Sequence, residues 1–278
     1  VRIVVVVEDS IRFYSTLLPL LYQEVLSQTR ALMSQGLNDM DKLFRLRARP
    51  KVVLARTFEE ALVPIERFPD NVLGLISDIR FPRGGAEDPA AGFELLEAVR
   101  ARVPDLPFLL LSSEPENATR AARSGARFLD KNDPELLLQV RAFLKESLGF
   151  GEFLFRGPAG EELARAADLR ELVDRINAIP DAVLSFHARG NHFSHWLAAR
   201  GEFALASAIR PRRVEDFKDI PALRAYLVER IERALEDHQR GVIADAGGPA
   251  GYAPGRSFVR LGSGSLGGKA RGIAFLGA

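Results

Sequence analysis

The amino-acid sequence predicts a doubly wound α/β fold over residues 1–150, a helical module over 151–240 and a glycine-rich end over 241–278. Three observations carry this. Short apolar runs alternate with helical patterns through the first 150 residues, the signature of a parallel sheet. The 278 residues exceed one small domain and fit one large domain or two ordinary ones. The composition, 47% hydrophobic and 27% charged, is that of an ordinary globular chain.

Each element follows in order. Val4–Val7 reads as a buried strand that stops at Glu8-Asp9-Ser10. KVVLAR at 51–56, VLGLIS at 72–77 and PFLLLS at 107–112 are three more, and Ala126–Leu129 is a short fifth before Lys131. Strands this uniformly apolar are covered by helices on both faces. Helical patterns stand between them at 58–67, 92–102, 117–124 and 134–147. Together with the first helix they give a flavodoxin-like, five-stranded parallel sheet.

The first helical segment is oversized. From Ile11 to about Arg47 apolar residues recur along one helix face, and a continuous helix of that length would run to roughly 50 Å. Pro19 is expected to kink it early and Gly36 to divide it late. Two arrangements fit: a first helix plus a hairpin packed back on the body, or a projecting arm through which two copies form a homodimer.

From 151 to 240 the pattern is helical, at Gly160–Asn177, Asp181–Arg200, Glu202–Ile209 and Ile220–Gln239, which reads as an all-α linker or transmitter module. The remaining stretch, 241–278, holds ten of the 23 glycines between Gly247 and Gly277 and reads as a linker followed by a glycine-rich motif.

Composition also narrows function. Thirty-eight Lys+Arg against 37 Asp+Glu leave a net charge of +1, which excludes a broad polybasic surface for nucleic acid or anionic lipid. With no clear helix-turn-helix, DNA is not an expected partner. Zero cysteines remove disulfides, thiolate metal sites and cysteine nucleophiles. No apolar run approaches the roughly 20 residues of a membrane span and no signal peptide is apparent, so a cytoplasmic location is expected. The chain opens directly on a strand and stops within the glycine-rich stretch, so it is expected to be the front end of something longer.

In an open parallel sheet, functional groups gather at the carboxyl ends of the strands. Those ends carry Glu8 and Asp9, Asp78, Ser112 with Ser113, and Lys131. Three carboxylates converging in one crevice repel one another and favour a hard divalent cation such as Mg²⁺. A hydroxyl and an ammonium at neighbouring strand ends would then contact a phosphoryl group carried by a carboxylate, a known covalent intermediate class.

These residues resemble the receiver domain of two-component response regulators, over roughly residues 1–148. The resemblance rests on Val7-Glu8-Asp9-Ser10, Asp78 with Pro82 four positions on, Gly92 opening the third helix, Ser112, Gly125-Ala126 and Lys131. It implies Asp78 as phosphoacceptor. It further implies that Glu8, Asp9 and Asp78 with the Arg80 backbone carbonyl surround Mg²⁺. Ser112 becomes the switch hydroxyl, Phe128 the aromatic switch position and Lys131 the phosphate-contacting lysine. A histidine kinase or a small phosphodonor is the implied partner. Three features depart from the family pattern: Asp9 and Asp78 are farther apart, the loop from Arg83 to Ala91 is longer and is expected to cover or reshape the pocket, and Asn132 replaces a proline. The alternative reading is a degenerate receiver, serving as a docking or dimerisation scaffold without phosphorylation.

At the other end, Gly262, Gly264 and Gly267 satisfy a GxGxxG spacing, but the acidic residue that should follow about 20 positions on falls past Ala278. Nor is the stretch a P-loop, because Ser263 stands at the first glycine position and Ala270 where a magnesium-binding hydroxyl belongs. Backbone N–H groups and Lys269 remain to receive phosphate oxygens. The run SLGGKARGIAFL resembles the start of the nucleotide-binding domain of the pyruvate phosphate dikinase and phosphoenolpyruvate synthase family. That implies ATP phosphates at Gly267, Gly268 and Lys269 when the rest of such a domain is present. The whole then looks like the N-terminal regulatory region of a multidomain phosphotransferase, its receiver signalling to a downstream ATP-using catalytic domain of the same chain. Residues 1–278 alone are not expected to catalyse that reaction.

His187, His192 and His195 cluster among Phe186, Phe193 and Trp196. With no acidic or cysteine partner at metal spacing nearby, they read as packed or surface histidines.

Overall fold

Strand β1 (Ile3–Val7) shows why the sheet is buried on both sides: Val4 and Val6 face one layer, Val5 and Val7 the other, and all four are at most 1% exposed. The computed structural model describes residues 2–34, 39–157, 159–239, 244–245, 259–260 and 269. β1 pairs in parallel with β2 (Lys51–Ala55) and β3 (Val72–Asp78). β3 pairs with β6 (Phe108–Ser112), and β6 with β7 (Arg127–Asp130), also in parallel. The order β2-β1-β3-β6-β7 is that of a flavodoxin-like doubly wound sheet.

Helix α1 (Ile11–Ser34) and α6 (Leu136–Glu146) cover one face, where Leu17, Leu21, Val140 and Phe143 pack on Val4, Val6 and Leu109. The other face is covered by α3 (Phe58–Arg67), α4 (Ala91–Arg100) and α5 (Asn117–Arg123), through Ala61, Ile65, Leu95, Val99 and Ala121. α3 starts where Thr57 accepts a hydrogen bond from the Glu60 N–H, 3.2 Å away. α1 runs unbroken through Pro19, and α2 (Asp39–Arg47) packs back along it, as the hairpin arrangement requires. The division expected at Gly36 lies outside the described residues.

The long loop after β3 is a hairpin, β4 (Phe81–Arg83) and β5 (Ala86–Asp88). Gly84 and Gly85 turn it at φ +58° and +83°, a pair of left-handed residues that glycine adopts without strain.

Beyond residue 150 the expectation of an all-α module needs correction. A second antiparallel hairpin pairs β8 (Phe153–Arg156) with β9 (Glu162–Ala166); β9 occupies the stretch read as the start of a helix from Gly160, and α7 begins only at Leu169 (Leu169–Ala178). Phe153 and Phe155 point inward while Leu154 and Arg156 do not, and this period of two favours a strand over a helix. The expected long helix over 181–200 is likewise two, α8 (Asp181–Arg189) and α9 (His192–Ala199), broken at Gly190 and Asn191, the latter at φ +56°. α10 (Phe203–Ile209) and α11 (Ile220–Gln239) complete this part. Its separate core gathers Phe155, Leu172, Ile176, Trp196, Leu227 and Ile231. Two short strands, β10 (Ala244–Asp245) and β11 (Val259–Arg260), pair in parallel near the end.

The two cores meet along the edge where the parallel strands begin. Asp105, in the loop before β6, binds Asn191 Nδ2 at 2.6 Å and Arg210 Nη2 at 2.9 Å, and lies 3.3 Å from His195 Nε2. Burial alone would raise the Asp105 carboxyl, but His195 and Arg210 together hold it well below the usual carboxylate range. Gly149 lies so close to Trp196 that a Cβ there would fall 2.6 Å from the Trp196 Cα. The opposite edge, where the strands end, is left to the carboxylates.

Candidate functional site

β1 and β3 lie side by side at the point where the strand order reverses, so their carboxyl ends flank one crevice. β1 delivers Glu8 and Asp9; β3 ends on Asp78 itself. One oxygen from each of the three carboxylates lies within 4.8 Å of the others. β7 ends one residue before Lys131, whose N–H is held by the Ser112 carbonyl at 2.8 Å. That bond aims the lysine inward: its Nζ lies 2.7 Å from Glu8 Oε2 and 2.7 Å from Asp78 Oδ2, with the side chain only 3% exposed. The Phe13 ring lies 4.2 Å from the same ammonium.

The electrostatics follow from burial. Burial and then the neighbouring Asp78 charge push the Glu8 carboxyl up to about 7, against the pull of Lys131. Burial also raises Asp78, again opposed by Lys131 and by the Ile79 N–H, which donates to Asp78 Oδ1 at 2.7 Å. Asp9 is half-buried at the open side. Three carboxylates thus share a single ammonium. An all-oxygen, net-negative donor set of this kind suits a hard divalent cation, so the residues fit Mg²⁺.

Ser112 closes the neighbouring strand end. Its Oγ accepts from the Glu114 N–H and from Asn117 Nδ2, each at 3.1 Å. Arg80 sits in the bend two residues past Asp78, and its side chain reaches Glu114 at 2.6 Å and Glu87 of the β4–β5 hairpin at 3.6 Å. Among the described glycines, Gly92 lies tightest against neighbouring backbone. A Cβ there would fall 2.4 Å from the Asp78 carbonyl oxygen and 2.7 Å from the Ile79 Cα. α4 can therefore press against the backbone of the site only because residue 92 lacks a side chain. Phe128 is half-buried on β7. Asn132, in the place of the expected proline, ties the next turn to the Ser113 carbonyl at 3.1 Å.

The structure therefore brings Glu8, Asp9, Asp78 and Lys131 into one contact network, with Ser112 and Arg80 beside it. Sequence reasoning had not assigned Phe13 or Asn117. Phe13 carried a local signal, standing four residues after the acidic pair on the first turn of the helix, whereas the contact of Asn117 with Ser112 needed a folded loop. At the other end, Lys269 is exposed, and Gly267 and Gly268 lie outside the described residues. No helix among the described residues is long and apolar enough to cross a membrane.

No protein-family model matches the chain, and no curated protein does. Its structural neighbours are response-regulator receiver domains. A response regulator receiver domain protein from Clostridium thermocellum is 15% identical, with TM-score 0.35, covering 52% of this chain and 95% of that one. The non-phosphorylated HemR receiver domain from Leptospira biflexa is 24% identical, with TM-score 0.35, over 52% and 94%. The receiver domain of sensor histidine kinase PA1611 from Pseudomonas aeruginosa PAO1, described with a magnesium ion coordinated in its active-site cleft, is 17% identical, with TM-score 0.32, over 52% and 95%.

Proposed function

We propose that Asp78 accepts a phosphoryl group from a histidine kinase or a small phosphodonor, and that the protein is a phosphorylation-controlled regulatory module. One observation supports this above the others: four strand ends converge so that Lys131 lies 2.7 Å from both Glu8 and Asp78, with Ser112 on the adjacent strand end. In the step itself, an Asp78 carboxylate oxygen attacks phosphorus, and the bond from phosphorus to the donor's oxygen or nitrogen breaks. The product is an acyl phosphate, and the leaving group departs with its electron pair. Lys131 offsets charge on the transferred group, and the Ser112 hydroxyl is placed to donate to one of its oxygens. Held by Glu8, Asp9, Asp78 and the Arg80 carbonyl, Mg²⁺ would supply neutralisation of the phosphoryl oxygens.

The change of charge at Asp78 would act on a downstream ATP-using domain resembling phosphoenolpyruvate synthase, whose first residues would include Lys269; the run SLGGKARGIAFL supports this part of the reading. A second copy would meet the exposed side of α1, where Tyr22 and Leu26 face solvent.

Incubation with acetyl phosphate and Mg²⁺, followed by intact-mass measurement, tests the central step. The expected result is a gain of one phosphoryl group that disappears in Asp78→Asn. A mass unchanged with Mg²⁺, or a gain that survives Asp78→Asn, would overturn it.

A further inference from the structure

A cavity of about 180 Å³ opens where the end of α6 meets β8, α8 and α9, on residues that the Asp78 chemistry does not use. Phe153, Phe186 and Trp196 line it, together with His187 and His192. An apolar cavity of about 150 Å³ holds benzene, so this one has room for a single aromatic ring with a small substituent.

Its polar features are specific. His187 is 3% exposed, and its Nε2 accepts the backbone N–H of Arg156 at 2.8 Å. A backbone N–H can only donate, so neutral His187 carries its proton on Nδ1. That nitrogen lies 3.0 Å from His192 Nδ1, which must then accept. The relay ends with a proton on His192 Nε2, a donor presented by a side chain that lines the cavity. The position of this ring depends on Gly190, where a Cβ would fall 2.3 Å from His192 Nε2. Burial keeps both imidazoles neutral in this relay, holding His187 at about 3 and His192 at about 4.

The rim carries charge of both signs. Glu146 accepts from both Arg127 and Arg156, at 2.9 and 2.7 Å, and Glu152 lies 3.4 Å from Arg165. Glu146 is thus matched by two arginines and Glu152 shares Arg165 with Glu162, while Lys145 adds a further, exposed ammonium.

We infer that this cavity binds a small aromatic carboxylate, its ring between Phe153, Phe186 and Trp196 and its anionic group toward Lys145 and the His192 N–H. A ligand held there touches α6 on one side of the joint and α8 and α9 on the other, so its binding stiffens the joint between the two cores. The inference stands independently of phosphorylation at Asp78.

Benzoate is the probe, titrated into the 278-residue chain by calorimetry, with benzylamine as its cationic counterpart. The expected result is saturable one-to-one binding of benzoate with a rise in melting temperature, and benzylamine at least about ten-fold weaker. Lys145→Gln, at an exposed helix end where folding is not at stake, should weaken benzoate about five-fold. Leu154→Trp, which fills the cavity, should abolish binding. Absence of saturable benzoate binding at about 10 mM, benzylamine binding as tightly as benzoate, or an affinity unchanged in both variants would each overturn the assignment.

Discussion

Replacing Lys131 with methionine removes the one ammonium shared by Glu8 and Asp78 while keeping an apolar stem of similar length. In the native protein Nζ is 2.7 Å from an oxygen of each carboxylate, with side-chain exposures of 3% for Lys131, 1% for Glu8 and 12% for Asp78. Removing one partner from a buried ionic cluster costs about 3–5 kcal/mol, because the remaining charge stays buried and unpaired. The residual exposure of Asp78 places the expected loss near the lower end, about 3 kcal/mol at pH near 8. That is a large share of the roughly 5–15 kcal/mol by which domains are stable. The loss must shrink in acid. Both carboxyls are already raised in the native fold, Glu8 to about 7, so the folded state holds protons that the unfolded state gives up. Such groups destabilise as pH rises through the folded-state value, and the penalty fades as pH falls below it. Without Lys131 those values rise further, and by about pH 5.5 the variant should recover much of the difference. Urea unfolding followed by circular dichroism at both pH values measures this. An equal loss at the two pH values would show that packing rather than charge is responsible, and a loss under about 1 kcal/mol at pH near 8 would refute the reasoning altogether.

Three further outcomes are expected. Gly92→Ala should cost about 2–3 kcal/mol and prevent acetyl phosphate from labelling Asp78, because the new methyl group meets backbone atoms at 2.4 and 2.7 Å; denaturation and intact mass report the two effects. Asp105→Ala should loosen the joint by about 2–4 kcal/mol, seen as a shift to lower denaturant in the fluorescence of Trp196, the single tryptophan, since Arg210 and Asn191 lose their shared partner. His187 and His192 make the second core acid-labile. Their folded values of about 3 and about 4 lie below the ordinary 6.5, so stability is full above about pH 6.5 and falls as the unfolded state takes up protons. For the pair the loss at pH 5 is on the order of 4 kcal/mol, and His192→Gln should roughly halve it in the same fluorescence assay. A pH-independent Trp196 transition would contradict this.

The first 150 residues were legible because their signals are local. Val4–Val7 is apolar at every position, a pattern that only a strand covered on both faces requires, and the neighbouring helices show their own period. The two hairpins were less so. Gly84-Gly85 marks a turn, yet β4 and β5 are only three residues each, too short for alternation to register. Phe153 and Phe155 do alternate, but the charged run that follows, Glu161 to Arg165, also suits a helix, and the pairing of β8 with β9 decides between them. The histidines show the limit most clearly. They read as packed or surface residues without partners of their own, whereas the break at Gly190 and Asn191 turns His192 onto His187, and His195 finds its carboxylate at Asp105.

The sequence by itself determined the α/β class and the set of strand-end residues, since in a parallel sheet every strand ends on the same edge and no long-range knowledge is needed to read those ends. Only the tertiary structure decided how those residues meet. Lys131 bridges Glu8 and Asp78 because its strand lies two places from β3 and its side chain is folded back beneath Phe13. Asp105 clasps Arg210 across 105 positions of chain. Such contacts depend on the packing of whole elements against one another, and no local period or spacing encodes that.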